Sequence, residues 1–303
     1  MKQLPAIPAV ASVVLQAIDN PDTSGIYLAK LIERDPALTA RVLSVANSPF
    51  YGFSRKISTV ELAIVLLGLS TIKEIIISLI IQGVFARVKN KVFDINQFWR
   101  YSVFCGSTAR YFARRLGYRV AGEAFVAGLM HDVGILIQAE FFTNEFLEIR
   151  EHQLKWGVSY VEAELTILQC SHTDIGAWFA EKWQLPSQLI DSLYYHHSVD
   201  IKDKEPLTHS NESNLMTDKQ DIAFHLQQEI EQPLTALVAL SELFAGELGF
   251  KQWANESENS STLYIPSILI EQLTSIQLKE YFGNNLQERL IEEFDSAVEF
   301  SRL

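Results

Sequence analysis

The chain has 303 residues and a formal charge of −12, from 25 Lys plus Arg against 37 Asp plus Glu. With 48% apolar and 20% charged residues, it can fill one large core or two coupled ones, which excludes disorder, collagen and coiled coil. The acidic balance argues against a non-specific nucleic-acid binder, which needs a basic footprint; the local exception is the cluster Arg110, Arg114, Arg115 and Arg119.

From the N-terminus, Pro5 and Pro8 interrupt the apolar stretch that a signal peptide needs. Apolar residues then recur at spacings of three and four, as Val10, Val13, Val14 and Ala17, and as Leu28, Leu31 and Ile32. That period predicts helices with one buried face. Asn20-Pro21, Asp35-Pro36, Ser48-Pro49 and Leu185-Pro186 are read as helix stops. Ser58-x-x-Glu61, Thr71-x-x-Glu74 and Ser159-x-x-Glu162 match capping boxes and predict helix starts. The greasiest window, Leu62 to Phe85, is split by Lys73 and Glu74 and predicts buried helices rather than a membrane span. Ile75 to Ile81 has strand-like composition, but its capped start and its length favour a helix.

The charged stretch at 87–94 predicts a boundary between lobes at 1–88 and 89–303. Residues 199–221 and 251–262 read as polar loops flanking an apolar helix over Pro233–Ala245, with a helical extension at the C-terminus. No segment shows sustained strand alternation. The fold class is therefore all-α, an N-terminal helical lobe followed by a second helical lobe. Cys105 and Cys170 stand alone in apolar surroundings, as buried thiols of a reducing cytosol do, and the expected location is cytoplasmic.

Seven histidines carry the candidate chemistry. His209 falls in a polar loop, and His152 and His225 lie on wet helix faces. The other four, His131, His172, His196 and His197, lie in apolar helical segments. His131-Asp132 offers a nitrogen and an oxygen ligand from one backbone site, with Gly128 and Gly134 allowing a neighbouring helix to approach. His197 shares a helix face with Ile190, Leu193 and Tyr194. Taken singly, each of the four is more often a satisfied core histidine, or a complement to a helix C-terminus, than a ligand.

Several segments together carry a resemblance. They are Leu4-Pro-Ala-Ile-Pro8, Ile32-Glu-Arg-Asp-Pro36, Val45-Ala-Asn-Ser-Pro-Phe-Tyr-Gly52, Phe98-Trp-Arg-Tyr-Ser102, Ala127-Gly-Leu-Met-His-Asp-Val-Gly134, Trp183-Gln-Leu-Pro186 and Tyr195-His-His197. From about Leu4 to about Gly249 the chain resembles the HDOD family, a bacterial branch of the HD superfamily of metal-dependent phosphohydrolases. The resemblance implies an HD-like helical second lobe and a signalling role, usually without demonstrated catalysis. It carries the metal-binding His-Asp pair onto His131 and Asp132, and the late acidic ligand onto Glu242. Two-metal members use further histidines, which correspond to His172, His196 and His197. The upstream histidine falls at Tyr101, and Ile135 stands where many active members place a lysine. A tyrosine must lose a proton of pKa near 10 to ligate well, and Glu in place of Asp shifts the carboxylate by a methylene.

Three functions follow as expectations. The first is a non-catalytic signalling adaptor that works through protein partners in trans, or a second copy of itself, or a small ligand in a degenerate pocket; it needs no cofactor. The second is a metal-dependent phosphohydrolase holding Fe, Mn or Mg on the residues above. The third, nucleic-acid binding through the helices at 28–47 and the arginine cluster, is disfavoured by the net charge. No membrane partner is expected.

Overall fold

The computed structural model describes residues 9–20, 22–85, 93–118, 121–197, 233–250 and 285–298, and among these every regular element is a helix. In chain order they are α1 (Ala9–Asp19), α2 (Gly25–Ile32), α3 (Pro36–Ala46), a 3-10 turn (Pro49–Tyr51), α4 (Val60–Phe85), α5 (Ile95–Arg115), α6 (Ala121–Met130), α7 (Val133–Phe141), α8 (Thr143–Trp156), α9 (Tyr160–Ile167), α10 (His172–Lys182), α11 (Ser187–Tyr195), α12 (Pro233–Glu247) and α13 (Leu286–Ala297). Residues 87–92 of the boundary expected at 87–94, the polar loops at 199–221 and 251–262, Arg119, His209 and His225 lie outside the described residues.

Local chemistry explains most boundaries. Asp35 accepts from the N–H groups of Ala37 and Leu38, with Pro36 in the first turn, so Asp35-Pro36 starts α3 as well as ending α2. Ser159 and Glu162 form the reciprocal capping box that the sequence predicts. A second box, Ser171 with Asp174, starts α10. Two predicted starts are corrected. Thr59, not Ser58, caps α4, its hydroxyl accepting from Leu62 N–H at 3.1 Å. Thr71 lies inside α4; the break comes earlier, at Gly68 with φ 82° and ψ 163°, a conformation reserved almost entirely for glycine. Ile75 to Ile81 is helical.

One continuous set of buried apolar side chains runs from Val14 to Ala297 and joins α4 to the helices that follow it. Its centre is α5, buried on all sides from Ser102 to Ala113. α5 packs on α6, α12 and α13, while α10 packs on α7 and α11. The α5–α6 crossing is tight because it is made by glycines: a Cβ on Gly106 would meet the Phe125 carbonyl at 2.7 Å, and one on Gly128 the Cys105 carbonyl at 2.8 Å. Each fully buried Phe or Leu here contributes about 1.5–3 kcal/mol over an exposed one.

The stretches Val60–Phe85 and Ala121–Phe141 are long and apolar enough to cross a membrane, yet the first is half buried and interrupted at Gly68 and the second is 89% buried within the fold. Two surface expectations change. Arg110 does not join a basic patch: it is buried, with its guanidinium 3.6 Å from the centre of the Phe50 ring. Cys170 is only half buried, whereas Cys105 is fully enclosed.

Candidate metal centre

His131 and Asp132 form the two-residue turn between α6 and α7. Two glycines shape that turn. Gly128 brings α6 onto the α5 backbone, and a Cβ on Gly134 would overlap the His172 carbonyl, so α7 and the start of α10 touch through backbone. His196 and His197 follow the last turn of α11, and Glu242 comes from the middle of α12.

These elements bring all six predicted ligand residues together. His131 Nε2 lies 3.0 Å from Asp132 Oδ2 and 3.0 Å from Glu242 Oε1. Asp132 Oδ1 faces His172 Nε2 at 3.2 Å and His196 Nε2 at 3.5 Å. His172 Nε2 also lies 3.0 Å from His197 Nε2. The donors thus form two groups, Asp132 with His172, His196 and His197, and Asp132 with His131 and Glu242; Asp132 belongs to both. His131, Asp132, His172, His196 and Glu242 are at most 3% exposed, and His197 is half-buried.

Three of the rings are anchored at Nδ1. His131 Nδ1–H donates to Gly128 O at 2.7 Å, His196 Nδ1–H to Leu193 O at 2.9 Å, and His172 Nδ1–H to Glu164 Oε2 at 2.8 Å. Each bond leaves Nε2 directed at the cluster, the arrangement that prepares an imidazole for a metal. His131 Nε2, His196 Nε2 and Glu242 Oε2 are buried without a well-angled hydrogen bond. Leaving such atoms unsatisfied costs roughly 1–3 kcal/mol each. Mixed imidazole and carboxylate donors suit a divalent transition ion, so the residues fit one.

The electrostatics point the same way. Burial opposes a charge on His131, but Asp132 and Glu242 outweigh it and raise the ring well above the usual imidazole range. Burial likewise opposes charge on His172, yet Glu164 and Asp132 lift it to about 10. For Asp132 burial favours the neutral acid, and His131, His172 and His196 overcome that and hold it well below the carboxylate range. His197 is depressed by burial and by His196 and His172. Protons on His131 and His172 balance the carboxylates, and a cation can take over that balance, since metal binding displaces ligand protons.

Tyr101 stands beside this cluster, its ring 5.8 Å from that of His131. Tyr101 and Ser241 hydrogen-bond the Cys105 thiol, which also feels Glu242 and Asp132 and is pushed up, mostly by burial. Cys105 is thus at the edge of the site and not in the wholly apolar surroundings expected of it. His152 is half-buried on α8 near Trp156, away from the cluster. Sequence reading missed Glu164, Gln138 and Tyr160. Gln138 Nε2 donates to Glu164 Oε1 at 2.6 Å, and Tyr160 OH to Gln138 Oε1 at 3.0 Å. The available signal was Gln138 inside the apolar run Ile135–Ala139; Glu164, flanked by Glu162 and Thr166, offered none.

The HDOD domain model matches residues 4–199. The chain belongs to the HDOD family. That match stops short of Glu242, so the HDOD assignment itself does not reach the late acidic ligand. Among solved structures, an HDOD domain protein of unknown function from Geobacter sulfurreducens shares 24% identity at a TM-score of 0.72, covering 99% of this chain and 94% of that one. A protein provisionally named a phosphohydrolase, from Shewanella amazonensis SB2B, shares 20% at 0.69, covering 99% and 94%. A provisionally named signal transduction protein from Marinobacter aquaeolei VT8 shares 19% at 0.65, covering 100% and 61%. These likenesses show the HD-type helical fold. An uncharacterised Treponema pallidum (strain Nichols) protein is 22% identical over 197 residues, 65% of this chain; the chain spans only 38% of that relative's length.

Proposed function

We propose that this HDOD chain is a signal-transduction module that holds a divalent metal in its buried centre and acts on other proteins without turnover. The observation that carries the reading is the convergence of three imidazole Nε2 atoms, from His172, His196 and His197, on Asp132. His131 and Glu242 complete the second group with the same aspartate. A bound ion there supplies a fixed positive charge that ties α6, α7, α10, α11 and α12 together and offers Lewis-acid chemistry.

The surroundings favour binding over hydrolysis. The donors are almost wholly enclosed, whereas catalysis requires an open position for water and a path for substrate. Tyr101 occupies the place of the upstream histidine, and a neutral phenol is a poor ligand. Ile135 is buried, so it offers a phosphate nothing. Adaptor function then rests on the helical surface, with partner proteins in trans or a second copy of the chain.

One observation favours the second reading, a metal-dependent phosphohydrolase: Asp132 links two donor groups, and a shared carboxylate is how two ions are held close enough to act on one phosphoester. A single experiment separates the two. Full-length protein is purified without chelator, its metal content measured, and the loaded protein offered a phosphodiester panel with Mn, Fe or Mg. Near-stoichiometric metal, lost in Asp132→Ala, with no turnover supports the proposal. Turnover abolished by Asp132→Ala replaces it with the hydrolase. Metal-free, folded protein sinks both.

A further inference from the structure

We infer that Glu164 is the positioning residue that makes His172 a ligand, a role that rests on the metal reading above. Glu164 lies on α9, outside both donor groups, and is fully buried. Its carboxylate grips residue 172 at two points. Oε1 accepts from the His172 backbone N–H at 2.8 Å, and Oε2 from the ring Nδ1–H at 2.8 Å. One rigid group thereby fixes where α10 begins and how its first imidazole is turned. Ser171 and Asp174 hold the same helix start from the other side.

The grip is itself braced. Glu164 Oε1 accepts a second bond from Gln138 Nε2, and Gln138 in turn accepts from Tyr160 OH. The amide therefore presents a donor to the carboxylate because the phenol occupies its acceptor. The chain of bonds runs Tyr160, Gln138, Glu164, His172, and ends at His172 Nε2, which meets Asp132 and His197.

Glu164 differs from the other ring anchors. His131 and His196 each donate Nδ1–H to a backbone carbonyl three residues back. His172 alone of these three donates to a carboxylate. A charge-assisted bond is stronger than a neutral one and makes the opposite nitrogen a better donor to a cation.

The test is a Co2+ titration of metal-free, full-length protein, read by the visible absorption of the bound ion, in wild type, Glu164→Gln, His172→Ala and the double variant. Glu164→Gln is expected to weaken Co2+ binding by about 10–100-fold, the usual cost of losing an outer carboxylate, with helix content unchanged. In the His172→Ala background the same substitution is expected to cost nothing more, because its effect passes through that ring. X-ray absorption of the Co2+-loaded Glu164→Gln protein is expected to count one imidazole fewer at the ion, a change that a general loss of stability does not produce. If Glu164→Gln does not fold, Gln138→Leu carries the test: a smaller loss in the same direction, absent in the His172→Ala background. Binding within twofold of wild type, or losses that multiply in the double variant, overturn the role. Wild-type protein that takes up no Co2+ is a separate result, scored before any variant, and removes the metal reading together with this one.

Discussion

Glu74 shows how one side chain sets a pH dependence. Its carboxylate lies against the first turn of α6, where a Cβ on Gly122 would overlap it. Burial raises its pKa from 4.5 to about 7, Arg110 and Arg114 pulling it down and Glu123 pushing it up. Because the folded value exceeds the unfolded one, the folded protein binds more protons between about 4.5 and 7, and stability falls as pH rises through that window. Glu74→Gln removes the slope. At pH 8 the variant is expected to be the more stable by about 1–3 kcal/mol, and at pH 4 that advantage disappears. Urea midpoints of the two proteins at both pH values check this; parallel behaviour refutes it. The neighbouring Arg110 marks a limit of sequence reading at this scale. A charge cluster on a helix defaults to a wet face, but Arg110 is covered by Phe50, sixty residues upstream. Nothing local to α5 announces that ring.

Among the helices, the start at Ser159 was legible from short-range chemistry, whereas the boxes read at Ser58 and Thr71 are not helix caps and the interruption at Gly68 was not legible. Ser159 and Glu162 satisfy each other within one turn, so the sequence alone names that cap. Gly68 sits in an unbroken apolar run, Leu66-Leu-Gly-Leu69, and its break appears only in the backbone. Its φ and ψ fall where a Cβ is strained whatever the space around it. Gly68→Ala is expected to destabilise the protein by about 1–3 kcal/mol. Gly246, in the helical backbone of α12 with open space where a Cβ would stand, gives the opposite expectation: Gly246→Ala stabilises by roughly 0.5–1 kcal/mol. Chemical denaturation of the pair is the check, and equal effects would refute the reading of Gly68 as a strained break.

For the whole molecule, the all-helical class was legible from the 3.6-residue period, and the site was legible in part. The His131-Asp132 dipeptide could be singled out because its two donors are adjacent. His172, His196, His197 and Glu242 were reachable through family likeness, since the nearest of them lies a whole series of helices beyond His131. Glu164 was not reachable, because its meaning depends on which backbone α9 meets. On the proposed metal reading, a centre assembled from five helices would couple a bound ion to global stability. An ion that binds only the folded chain adds about 2.7 kcal/mol at a hundredfold excess over its Kd. Chelator is therefore expected to lower the melting temperature of wild type and to leave Asp132→Ala, which lacks the ligand common to both donor groups, unmoved. Calorimetric scans with and without EDTA test it, and an unchanged wild-type midpoint counts against a resident ion.

His131 and His196 share a further property. Each ring donates to a carbonyl in the closing turn of its own helix, α6 for one and α11 for the other. The imidazole is at once the cap of that turn and a donor to the cluster. Fraying of either helix end then releases the ring, and release of the ring exposes the last carbonyls. Amide exchange in these two turns would then report occupancy of the centre, slowing when an ion holds the rings and quickening when they are released.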